Sequence, residues 1–94
     1  MYVLRFTKKA DKDKVLIKRA GLEKFTRELL TIITENPYQN PPPYEKLVGK
    51  LDGKLSRRIN IKHRLVYAVF EAEKAVKIIS MWSHYELESY SISV

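Results

Sequence analysis

The chain of 94 residues contains no cysteine, which removes disulfides, thiolate metal sites and cysteine nucleophiles together. Three glycines are too few and too scattered to form a phosphate-cradling loop, and no serine stands in a nucleophile-elbow context. Nucleotide cofactors and serine hydrolysis are therefore set aside. The two histidines, His63 and His84, have no cluster of carboxylates around them in sequence, so neither a metal nor any other cofactor is expected. Long hydrophobic runs are missing too: Leu29–Ile33 and Ile78–Trp82 are far too short to cross a bilayer. The opening residues carry Lys8, Lys9, Asp11, Lys12, Asp13 and Lys14 before any long apolar stretch, unlike a secretory signal. The expectation is a soluble, cytoplasmic protein without a membrane partner.

Acid is scarce as well. Eighteen Lys and Arg stand against eleven Asp and Glu, a formal charge of +7. The excess is uneven: Met1–Leu47 carries +4, Val48–Phe70 carries +5, and Glu71–Val94 carries −2. A +5 segment in the middle of a small domain points to a polyanion, most simply a nucleic acid.

What is present reads as one α+β domain over residues 1–85 followed by a tail at 86–94. Tyr2–Phe6 alternates and is rich in strand formers, predicting a short first strand. Thr7 can cap a helix that carries Ala10, Ile17 and Ala20 on one face and ends at Gly21. Leu22, Phe25, Leu29 and Ile32–Ile33 mark a second helix, which should stop near Asn36 because Pro37 follows. Pro41, Pro42 and Pro43 predict a stiff loop. Three strand-like runs come next, at Leu55–Asn60, Arg64–Glu71 and Ala75–Ser83, the last with Val76, Ile78, Ser80 and Trp82 alternating against Lys77, Ile79, Met81 and Ser83. The order β-α-α-β-β-β predicts a small antiparallel sheet with both N-terminal helices packed on one face.

Chemistry gathers around a basic cluster. Arg57, Arg58, Lys62 and Arg64 crowd two neighbouring strands, with Lys50 and Lys54 before them, Glu45 in the preceding loop and His84-Tyr85 at the end of the last strand. Arg57 and Arg58 are either a solvated sheet face or cations that meet a phosphate backbone, and Glu45 taken alone is a surface acid. The set nevertheless suits RNA cleavage. The ribose 2′-hydroxyl attacks its own phosphate once a base takes its proton, so a carboxylate, a histidine acid and an arginine for the developing charge suffice without a metal. Glu45, His84 and Arg64 match those roles. Trp82, Tyr85 and Tyr67 offer faces for unstacked bases, against ordinary core packing for all three and most of all for mid-strand Tyr67.

The run Leu47…Leu51-Asp52-Gly53…Ser56-Arg57-Arg58-Ile59…His63-Arg64-Leu65-Val66-Tyr67-Ala68-Val69, followed by His84-Tyr85, resembles the Txe/YoeB family of bacterial toxins in the RelE-like superfamily of toxin–antitoxin systems. The resemblance spans Tyr44 to Tyr85, while the N-terminal half agrees in element order only. It implies a ribosome-dependent endoribonuclease that cuts mRNA in the A site of the 70S ribosome and is held inactive by a YefM/Axe-like antitoxin in a hetero-oligomer. By position it makes Glu45 the general base, Arg64 the arginine at the scissile phosphate, His84 the general acid and Tyr85 an orienting tyrosine. Arg57, Arg58, Lys50, Lys54, Lys62 and Trp82 are expected to contact RNA, with a structural role also open to the two arginines of the motif. Val48 and Gly49 stand where relatives often carry basic or histidine side chains, and Trp82 replaces a commonly basic residue. The alternatives are a non-catalytic RNA- or ribosome-binding protein on the same fold and a purely regulatory partner of an antitoxin.

Overall fold

Asn36 is where the two-helix half ends, and the proline-rich loop beyond it carries the chain to a sheet. A computed structural model describes residues 1–84, the last two by their backbone. The expected tail at 86–94 and Tyr85 lie outside the described residues. Strand β1 is Val3–Phe6, helix α1 Lys8–Arg19 and helix α2 Glu23–Glu35. Strands β2 Glu45–Lys46, β3 Leu55–Arg58, β4 His63–Phe70 and β5 Ala75–His84 follow, in spatial order β1-β5-β4-β3-β2. The α+β class and the element order are as read from sequence, with a two-residue strand added at Glu45. The sheet is mixed rather than purely antiparallel, because β1 lies parallel to β5, with Val3 opposite Ala75 and Phe6 opposite Ile78. That pairing joins the two ends of the described chain, and no local pattern announces it. No helix of the described residues is long and apolar enough to cross a membrane.

Helix α1 starts on Thr7, whose hydroxyl oxygen accepts the Ala10 N–H at 3.0 Å. The α2 face of Leu29 and Ile33 meets Leu55, Ile59, Leu65, Tyr67, Val76, Ile78 and Met81 of the sheet in one core. Leu47 and Val66, with Leu51 and Ile79, form a smaller apolar cluster on the opposite face.

The alternation expected along β5 breaks midway. Register shifts between Arg64 and Tyr67 set Val66 opposite Ser80, and Tyr67 opposite Ile78. Met81 rather than Ser80 therefore continues the core face of Ile78. Beyond Phe6, helix α1 supplies partners to the β5 backbone. The Thr7 hydroxyl donates to the Ile79 carbonyl at 2.7 Å, and the buried Asp13 carboxylate accepts the Met81 N–H at 2.9 Å. Lys9 holds the same Asp13 oxygen at 2.9 Å. The helix thus fixes the strand that ends at His84.

Arg57, for which the sequence leaves solvated, RNA-contacting and structural roles open, takes the structural one and lies in the core at 1% exposure. Strand alternation sends it to the helix-covered face with Leu55 and Ile59. Its Nε donates to the Tyr67 hydroxyl oxygen at 2.9 Å, Nη1 to the Pro42 carbonyl at 2.6 Å, and Nη2 to the Pro37 and Gln39 carbonyls at 3.0 and 2.9 Å. The Tyr67 O–H in turn donates to the Pro37 carbonyl at 2.7 Å. Every exposed-cation role assigned to Arg57 is thereby withdrawn.

Burial raises the Tyr67 phenol above its ordinary value of 10.0, although the Arg57 charge pulls the other way. A raised native value favours the protonated phenol, so this stabilisation is complete below pH 10 and is lost as pH climbs through the native value. Urea unfolding between pH 8 and 11 should show stability falling above pH 10. Tyr67→Phe should lose about 1–3 kcal/mol at neutral pH, from its missing hydrogen bonds, and fall less steeply in alkali. An equally steep alkaline loss in the variant would contradict this assignment.

Candidate active site

The opposite face of β3 carries the other two members of the same tripeptide. Ser56 and Arg58 alternate with Arg57, so they point away from the helices. Ser56 pairs with Glu45 of β2 on one side and with Val66 of β4 on the other, and Arg58 pairs with Arg64. On the next strand, Ser83 stands opposite Arg64 and His84 opposite His63. Four neighbouring strands thus bring Glu45, Arg58, Arg64 and the His84 backbone to one end of the sheet.

Arg64 Nη1 donates to Glu45 Oε1 in a close ion pair and lies 3.3 Å from Ser56 Oγ. The two partners sit in different surroundings. The Arg64 side chain is 4% exposed, whereas that of Glu45 is 43% exposed. Arg64 is therefore a fixed, poorly hydrated positive charge, and Glu45 is the carboxylate through which the pair meets solvent. A cavity of about 220 Å³ opens here, lined by Pro43, Tyr44, Glu45, Ser56, Arg58 and Arg64. The exposed Arg58 at its wall adds a second cation. Two guanidinium groups beside a carboxylate can hold an anionic group while an acceptor for a proton lies next to it.

The remaining expected residues are distributed differently. Lys50 is exposed on the turn Gly49–Leu51, and Lys62 is exposed between β3 and β4. There the Asn60 side-chain oxygen accepts the Lys62 and His63 N–H groups at 2.9 and 2.7 Å. Lys54 and Val48 line a separate open groove of about 500 Å³ with Tyr38, Leu47 and Val69. Neither Val48 nor Gly49 borders the Glu45–Arg64 cavity. Gly49 has φ +71°, so its place is set by a turn that side chains rarely enter. Trp82 is half-buried against the core and stacks on His63, with ring centroids 3.7 Å apart and planes 16° from parallel. One face of the indole is thus already covered by the protein. Among the described residues no three His, Asp or Glu side chains converge as a metal site requires.

Ser56 and Tyr44 line the cavity but were not singled out in the sequence. The signal for Ser56 was available, since a residue two before Arg58 on a strand shares its face. Nothing comparable marks Tyr44, whose position follows from the loop.

Comparison with known proteins identifies the family and the fold. A family model described as "YoeB-like toxin of bacterial type II toxin-antitoxin system" matches residues 6–85, so the likeness extends through the N-terminal half as well. A curated relative, "Toxin YoeB" of Synechocystis, is 39% identical over 74 residues, covering 79% of this chain and 77% of its own. The "YoeB/ParE toxin from Agrobacterium tumefaciens" superposes with a TM-score of 0.79 at 27% identity, covering 88% of this chain and 99% of its own. The toxin in a heterotetrameric YoeB–YefM toxin–antitoxin complex from Staphylococcus aureus gives 0.74 at 34% identity, with 90% and 99% covered. The chain belongs to the family of YoeB-like toxins of bacterial type II toxin–antitoxin systems.

Proposed function

We propose that the protein is a ribosome-dependent endoribonuclease that cleaves mRNA in the A site by metal-independent acid–base attack of the ribose 2′-hydroxyl. The observation that carries this reading is the pairing of a solvent-facing carboxylate, Glu45, with a buried arginine, Arg64, at the wall of a cavity large enough for a phosphate group and part of its sugar. Glu45 takes the 2′-hydroxyl proton. The oxygen so freed attacks the adjacent phosphorus, and Arg64, with Arg58 beside it, stabilises the charge that builds on the phosphate oxygens. His84 returns a proton to the departing 5′ oxygen, which leaves a 2′,3′-cyclic phosphate on the upstream fragment. Its strand position opposite His63, one step from the Ser83–Arg64 pair, supports that assignment. Tyr85 orients the substrate beside it.

Arg58, Lys50, Lys54 and Lys62 bind ribosomal or messenger RNA through phosphates, and the uncovered face of Trp82 receives a base. The A site supplies what this small cavity does not, a message held in the geometry of attack. Cleavage there places the protein in the cytoplasm. A YefM-like antitoxin restrains it in a hetero-oligomer, by analogy with the Staphylococcus aureus complex.

Primer extension on a message being translated should reveal a new A-site cut with wild-type protein. Glu45→Gln and His84→Gln should each reduce the cleavage rate by about 10²–10⁴-fold while ribosome binding persists. Wild-type rates in both variants would remove the assigned roles, and binding without cleavage by the wild type would leave a non-catalytic ribosome binder.

Ribosome affinity should also fall steeply between 50 and 200 mM salt as phosphate counterions are released. Arg58→Ala should reduce the slope of log affinity against log salt by about 0.7–0.9. A flat salt response would show that the basic segment is not the contact surface.

A further inference from the structure

We infer that Arg57 is a positioning residue for the general base: its buried guanidinium clamps the proline loop and so sets where Glu45 stands relative to Arg64. The inference rests on the role proposed for Glu45. That residue belongs to a strand of two residues, held to β3 through the Glu45–Ser56 and Lys46–Leu55 pairs. Downstream it is well anchored, because the Leu47 N–H donates to the Lys54 carbonyl at 3.0 Å and Leu47 is buried with Val66. Upstream lies Pro37–Tyr44, where Pro37, Pro41, Pro42 and Pro43 have no N–H to donate. Such a segment cannot build a ladder that would fix it to the sheet.

The clamp replaces that ladder. One guanidinium reaches three carbonyls of the segment, those of Pro37, Gln39 and Pro42, and the Tyr67 hydroxyl ties itself to both Arg57 and Pro37. The Tyr44 ring, next to Glu45, lies with its centroid 5.2 Å from the Arg57 guanidinium carbon. Strand alternation completes the device. Arg57 grips the loop on the core face, while its neighbour Ser56 pairs with Glu45 and touches Arg64 from the other face. A single strand therefore sets both the loop that delivers the base and the side chain that the base faces. A lysine cannot substitute, because its donors radiate from one nitrogen and do not span carbonyls on separate residues.

The test uses the full chain with Arg57→Lys, Tyr67→Phe and, as a control for general softening of the core, Ile33→Val. Two readouts are taken. Amide hydrogen exchange of the free protein at residues 44–46 should quicken about tenfold or more in Arg57→Lys and measurably in Tyr67→Phe, in each case beyond the quickening that the global loss of stability gives the β4 and β5 amides. Ile33→Val should leave exchange at 44–46 at the wild-type rate. On programmed ribosomes the clamp variants should lose about 10–100-fold in cleavage rate at saturation, while the half-saturating concentration stays within about threefold, and the control should retain both. Unchanged exchange at 44–46 in Arg57→Lys would overturn the clamp, as would a uniform quickening that Ile33→Val reproduces. A quickened loop with full cleavage would overturn the positioning role. Absence of cleavage by the wild type would defeat the proposed reaction alone, and the exchange data would still decide whether Arg57 sets the loop.

Discussion

A guanidinium at 1% exposure bonded to carbonyls and a phenol, with no carboxylate among its described partners, is the constraint around which this protein is arranged. Removing such a charge from water costs several kcal/mol, and only a full set of well-directed acceptors offsets it. The proline loop supplies those acceptors because its carbonyls have so few N–H groups of their own to meet. Each side thus satisfies the other's excess. The result is a loop fixed to the core at the point where the chain turns to present Glu45.

A second constraint acts at the other end of the site. Strand β5 is paired with β1 only as far as Ile78, and the register shifts beyond that point leave backbone groups for helix α1 to satisfy. Thr7 and Asp13 do so from successive turns of one helix. Capping of α1, attachment of α1 to the sheet and the course of the strand that ends at His84 are therefore one arrangement. The ion pair of Arg64 with Glu45 then links β4 to β2 across β3, and the Arg64–Ser56 contact ties β4 to β3 beside their ladder.

Much of this was legible in the residues. The stop of α2 before Pro37 follows from proline geometry and holds, and Leu29 and Ile33 take the core face as the periodicity requires, but Phe25 is exposed and Thr26 is buried in its place. The α+β order held too, while the parallel β1–β5 pair depends on contacts between residues some seventy positions apart, which no window of sequence contains. The residues leave surface and structural roles open for Arg57 for a physical reason: arginine is normally a surface residue, and its acceptors here are backbone carbonyls that a sequence does not display. The alternation fails at Ser80 and Met81 because a bulge changes side-chain parity without leaving a mark in composition. Glu45 is singled out as the carboxylate beside the basic cluster and again, by position, through the resemblance. Its own surroundings in the sequence mark a surface acid, and only the fold gives it a buried arginine as partner. The cations divided by exposure and position, with Arg58 at the cavity, Lys50 and Lys62 on exposed turns and Lys54 in a separate groove.

The central claim is that the message supplies its own nucleophile and Glu45 activates it. The most direct measurement replaces the 2′-hydroxyl with hydrogen at the single nucleotide preceding the scissile phosphate, in an otherwise unmodified message held in the A site. Wild-type protein should cut the ribose message, leaving a 2′,3′-cyclic phosphate, and leave the 2′-deoxy message intact at that position. A cut in the 2′-deoxy message at a comparable rate would contradict the claim, since the attacking oxygen would then have to come from elsewhere.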